Sequence, residues 1–190
     1  MKIDFHYSTI YDDMLTEMCK KEQDISQIRE VRSLTDKFQT YWKKREKTII
    51  SLIEKHSKLK FNKNITVYFV RHMRFTAISI PLTIKYIKNL KEIEKILIHE
   101  LIHNILTQNG HKVLKLLSKT YPEEDWDFRI HIPVLLIQKK VFEKLYDKKT
   151  ITNFFNKEEN IFGPEFIEIN RIYPQYKNDI LKFLKNEDLE

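Results

Sequence analysis

Ile96-Leu97-Ile98-His99-Glu100-Leu101-Ile102-His103-Asn104-Ile105 is the stretch on which the reading of this chain turns. Two histidines four residues apart lie one turn apart on the same face of a helix, so both imidazoles can reach one metal ion. With His99 at 0° and steps of about 100° per residue, His103 falls near 40°, Glu100 near 100° and Asn104 near 140°. Leu97, Leu101, Ile105, Ile98, Ile102 and Leu106 fill the remaining arc, from about 160° to about 340°. A solvated surface helix does not carry apolar residues over most of its circumference; a buried helix with one polar slot does. Glu100 sits beside the metal position rather than on it. There it can take a proton from a zinc-activated water and pass it to a leaving group.

The pattern around this helix sets its neighbours. Asn89 predicts the N-cap, with Glu92 completing a capping box, and Gly110 predicts the stop just after Asn109. Upstream, apolar residues at helical spacing predict one long helix over Ile25–Lys58. The β-branched and aromatic runs Asn64–Val70 and Phe75–Leu82 predict two strands joined by the basic turn Arg71-His72-Met73-Arg74. Pro81 cannot donate to a ladder, so the second run reads as an edge strand or ends there. A short strand over Lys2–His6 and a helix from Tyr11 precede these elements. Downstream, Pro133 suits the first turn of a helix running to about Tyr146. The stretch 147–190 reads as less regular, with a loop at Gly163-Pro164 and a last helix after Pro174.

Composition bounds the rest. A chain of 190 residues with 42% hydrophobic and 12% aromatic content can bury one core, and no repeat or linker divides it. The expected fold is α+β and a single domain over 1–190. It would have a long backing helix, a small mixed sheet with an edge strand, and an active-site helix followed by a ligand-bearing helix. Residues 1–24 and 147–190 read as extensions. The net charge of +7 is spread among acidic residues rather than run into blocks, which permits nucleic-acid contact without indicating it. One cysteine, Cys19, excludes an internal disulfide and fits a reducing compartment. With no leader-like segment and no long apolar run, the expectation is a cytoplasmic protein without a membrane partner.

On the motif and its apolar flanks the chain resembles the zincin metallopeptidases, in a minimal gluzincin-like form. The order of a backing helix, strands, an edge strand and then the motif helix is also similar. The resemblance covers roughly residues 28–146. It implies that His99 and His103 bind zinc and that Glu100 is general base and acid. It also implies that Phe75–Leu82 pairs with an extended peptide or protein substrate. The metzincin extension is not met, because Leu106 and Asn109 stand where it wants Gly and His.

A catalytic zinc takes three protein ligands. His131, flanked by Ile130 and Ile132, is the leading candidate for the third. Glu143, Glu123 and Glu124 are the alternatives, and His131 and Glu143 are too far apart along one helix to serve together. Asp125 and Asp127 are candidates for orienting a ligand histidine. Tyr121, Tyr146 and Tyr173 could stabilise an oxyanion, with nothing to choose among them. The function expected is a zinc metallopeptidase. The rivals are a zinc amidohydrolase acting on non-peptide amides, and a regulatory or nucleic-acid-associated protein with a latent zinc site.

Overall fold

A computed structural model describes residues 1–22, 24–110, 117–159 and 163–176. It shows the α+β class expected. In chain order the elements are β1 (Ile3–Tyr7), α1 (Thr9–Met18), α2 (Ile25–Lys43), α3 (Glu46–Ser57), β2 (Ile65–Val70), β3 (Ala77–Ser79) and β4 (Leu82–Lys85). They continue with α4 (Leu90–Gln108), α5 (Trp126–Leu145), α6 (Lys148–Glu159) and α7 (Gly163–Tyr176). No helix among the described residues is long and apolar enough to cross a membrane. The chain divides into two compact units, Met1–Thr48 with Phe61–Asn104, and Ile49–Lys60 with Ile105–Glu190.

The first unit holds a four-stranded mixed sheet in the order β1-β2-β4-β3. β1 and β4 both run parallel to β2, while β3 is antiparallel to β4 and lies at the edge. Ile3 and Phe5 of β1, and Ile65, Val67 and Phe69 of β2, alternate into the core. They meet Phe38 and Trp42 from α2. The Phe5 and Phe38 ring centroids are 5.2 Å apart, edge to face. The stretch 1–24, which reads from sequence as an extension, thus supplies a strand and a helix of this unit, β1 and α1.

α1 is fastened to the end of β2 by a buried polar cluster. The fully buried Asp12 carboxylate accepts from the Arg71 backbone N–H at 2.7 Å, from Arg71 Nε at 2.6 Å and from the Tyr7 hydroxyl at 2.6 Å. Arg71 also donates to Asp13 at 2.5 Å. Burial, and then the hydrogen bond to Asp12, holds the Tyr7 phenol well above its ordinary range.

Two expectations for this region are corrected. The helix expected over Ile25–Lys58 is two helices, broken at Lys44-Arg45. Tight turns from Lys44 N to Tyr41 O (3.3 Å) and from Arg45 N to Trp42 O (2.8 Å) end α2. The Arg45 guanidinium is drawn to the buried Glu94 of α4. Second, the single strand expected over Phe75–Leu82 is a hairpin. Residues 80–81, joined by a cis peptide, separate β3 from β4, and it is β4 that pairs with β2. Arg71–Arg74 therefore does not join neighbouring strands.

The second unit is helical. Asp125 caps α5, its carboxylate accepting from Phe128 N at 2.8 Å. α5 therefore starts at Trp126, and Pro133 lies inside the helix rather than at its first turn. Residues 147–176 are more regular than expected. Asp147 accepts from Thr150 N at 2.8 Å at the start of α6. Gly163-Pro164 opens α7 instead of forming a loop, and Pro174 is within it. Any helix beyond 176 lies outside the described residues. Phe142, Phe154, Phe155 and Phe166 pack in a chain of ring contacts, with centroids 5.0 Å apart for Phe142–Phe154 and 5.5 Å for Phe155–Phe166.

His56, near the end of α3, has its Nε2 buried with no partner among the described residues. Burial, and then the charges of Lys140, Lys55, Lys144 and Lys58, lowers its pKa to about 4 from 6.5. The unfolded chain takes up that proton near 6.5, whereas the folded chain resists it. Stability from this group is therefore present above 6.5 and lost as the pH falls towards about 4. Melting temperatures across that window should fall further for the wild type than for His56→Gln. Parallel curves would show that His56 is not the group responsible.

Candidate metal centre

α4 carries the central residues, and its register is fixed at both ends. Asn89 accepts from Lys91 N at 3.0 Å and from Glu92 N at 3.4 Å, as its capping role predicts. At the other end Asn109 donates its side-chain amide to the Ile105 carbonyl at 2.8 Å, meeting an acceptor the helix leaves open. Between these caps Ile93, Leu97, Ile98, Leu101, Ile102, Ile105 and Leu106 are buried. The apolar arc read from the sequence is a buried arc.

The His99 and His103 Nε2 atoms lie 3.1 Å apart. Two imidazole nitrogens each about 2.0–2.1 Å from a tetrahedral ion stand roughly 3.3 Å from one another. The pair thus already has the spacing that a metal requires. Both residues are half-buried. His131 is in the second turn of α5, and its Nδ1 is 2.7 Å from the Asp127 carbonyl. That carbonyl can only accept, so Nδ1 carries the hydrogen, and in the neutral ring this leaves Nε2 with the lone pair a metal ligand needs. Ligand nitrogens of His99, His103 and His131 all lie within 4.8 Å of one another, and this cluster can hold a metal ion.

Glu100 is 8% exposed, and its Oε2 accepts the Ser79 hydroxyl from β3 at 2.5 Å. Asn104, one turn further along α4, donates to the Ser79 carbonyl at 3.0 Å and to the Glu100 carbonyl at 3.0 Å. The motif helix and the edge strand are therefore tied at Ser79 through both its side chain and its backbone. Neither Ser79 nor Asn104 stood out in the sequence as a site residue. The available signal was one hydroxyl in the otherwise apolar run Ala77-Ile78-Ser79-Ile80.

Of the alternative ligands, Glu143 is engaged elsewhere. Glu143 accepts from the Tyr173 hydroxyl at 2.6 Å and from Lys140 at 3.2 Å. Burial alone would raise its pKa, but these two bonds outweigh it and lower it. The same bond, added to burial, pushes the Tyr173 phenol up. Tyr121 donates to Glu168 at 2.9 Å. Both tyrosines are thus tied to carboxylates. Glu123 and Glu124 are exposed in the turn before α5. The Asp125 carboxylate is a helix cap, and Asp127 meets His131 through its backbone carbonyl.

No protein-family profile, curated protein or solved structure matches the chain.

Proposed function

We propose that the protein is a zinc-dependent metallopeptidase of zincin-like type, with His99, His103 and His131 as metal ligands and Glu100 as general base. The observation that carries this reading is the His99–His103 nitrogen pair at metal-ligand spacing, on the helix that also holds Glu100 beside it. Three neutral imidazoles suit zinc, a borderline-soft ion, better than the hard cations that prefer oxygen. A zinc ion there supplies Lewis acidity, which polarises a carbonyl and makes water a better nucleophile near neutral pH.

Glu100 provides the proton path. Its carboxylate takes a proton from the attacking water as the new carbon–oxygen bond forms. It then hands that proton to the amide nitrogen as the carbon–nitrogen bond breaks. β3, at the sheet edge, offers the strand against which an extended peptide can lie. That favours peptides over small amides.

Metal analysis of the purified chain tests the ligand set. Wild type and Glu143→Ala should each retain about one zinc per chain, while His131→Ala should lose most of it. Zinc lost from Glu143→Ala and kept by His131→Ala would reverse the assignment. Turnover of short formyl or acyl amides, with none of a peptide library, would replace peptidase by amidohydrolase.

A further inference from the structure

We propose that Ser79 is the positioning residue for Glu100, holding the base's carboxylate from the edge strand. This rests on the reading of Glu100 as general base. A helix fixes the Cα of a glutamate but leaves three rotatable bonds before the carboxylate. Proton transfer needs the acceptor oxygen placed to within a fraction of an ångström. β3 supplies such a restraint through Ser79, the one residue of Ala77–Ser79 whose side chain can donate a hydrogen bond. Its hydroxyl meets Glu100 Oε2 at 2.5 Å, the length of a charge-assisted bond.

The donor is itself anchored. Asn104 holds the Ser79 carbonyl and, with the same amide nitrogen, the Glu100 carbonyl. This closes a ring that runs from the Glu100 carboxylate through Ser79 and Asn104 back to the Glu100 backbone. Rotating the carboxylate away breaks the ring at the serine hydroxyl. Shifting β3 along α4 breaks it at Asn104. Ser79 acts through Glu100, so its removal should leave metal affinity alone and misplace the base.

The test uses the full chain loaded with cobalt(II), whose visible spectrum reports ligands at the metal. The probe is acetohydroxamate, which gives up its hydroxyl proton to a base beside the ion. Wild type, Ser79→Ala, Ser79→Thr, Glu100→Gln and the Ser79→Ala/Glu100→Gln double variant are compared, with melting temperatures confirming that each is folded. Cobalt affinity should be the same in all five. Ser79→Ala should weaken acetohydroxamate binding by about tenfold or more. Ser79→Thr, which keeps the hydroxyl, should stay within about twofold. In the Glu100→Gln background Ser79→Ala should have no further effect. If Ser79→Ala does not fold, Ser79→Cys replaces it, with a weak donor of similar size and a smaller expected loss. Equal losses in both backgrounds, or no loss in either, would overturn the positioning role while leaving the hydrolase reading intact. A wild-type chain that takes up no cobalt would overturn both.

Discussion

Glu100→Gln is expected to lower peptide hydrolysis by about 10²- to 10⁴-fold while leaving the zinc content unchanged. Glutamine keeps the shape of the side chain, and its carbonyl oxygen can still accept from Ser79, so the contact between α4 and β3 survives. It cannot take a proton from water, and that is the lost step. The metal remains because Glu100 is not among the three clustered nitrogen ligands. Initial rates on a quenched fluorescent peptide, set beside metal analysis of the same preparation, separate the two effects. Wild-type turnover by the variant would remove Glu100 from the mechanism. Loss of zinc together with activity would instead make it a ligand.

The largest loss of stability is expected for Arg71→Met, at the buried pair that fastens α1 to the end of β2. The Arg71 side chain is 1% exposed and Asp12 is fully buried. Removing the cation leaves Asp12, among the described residues, with the Tyr7 hydroxyl and the Arg71 backbone N–H as partners. Breaking one side of a buried pair costs about 3–5 kcal/mol, because the charge left behind is neither solvated nor neutralised. In a chain of this size that corresponds to a fall in melting temperature of roughly 6 to 20 °C. Replacing both partners with apolar residues, Asp12→Leu with Arg71→Met, should cost less than the two single losses added together. Thermal unfolding of the four proteins measures this coupling, and simple additivity would show that the pair is not an energetic unit.

The motif helix was legible in the sequence because local geometry determines it. Side chains four apart on a helix share a face wherever that helix sits, and an apolar arc this wide has to be buried. The edge position near Pro81 was legible too, since a residue without an N–H is excluded from a central strand. Other features depend on partners distant in sequence. The α2–α3 break is invisible to periodicity, because apolar spacing continues through Lys44-Arg45 and the tether is Glu94, 49 residues on. Proline suits the first turn of a helix, so Pro133 reads from sequence as a start, yet the Asp125 cap places the start at Trp126. His131 consequently lies within the second turn, where its Nδ1 reaches the carbonyl four residues back. Ser79 and Glu100 are 21 residues apart and meet only because the β3–β4 hairpin folds back on α4. Nothing in either segment alone announces that bond.

β1 and β2 pair in parallel register, Ile3 opposite Ile65 and Tyr7 opposite Phe69. The partner of β1 is therefore synthesised 62 residues later. At ribosomal speeds of 5–20 residues per second, β1 waits roughly 3 to 12 s for it. During that interval the apolar Ile3 and Phe5 and a row of unpaired backbone groups are open to pairing with another nascent chain. Asp4 and His6 alternate with them on the opposite face, and Lys2 precedes them. These polar residues work against intermolecular strand pairing before the sheet exists. Yield of folded protein at high expression should thus be more sensitive to apolar substitutions at positions 4 and 6 than the stability of the finished fold is.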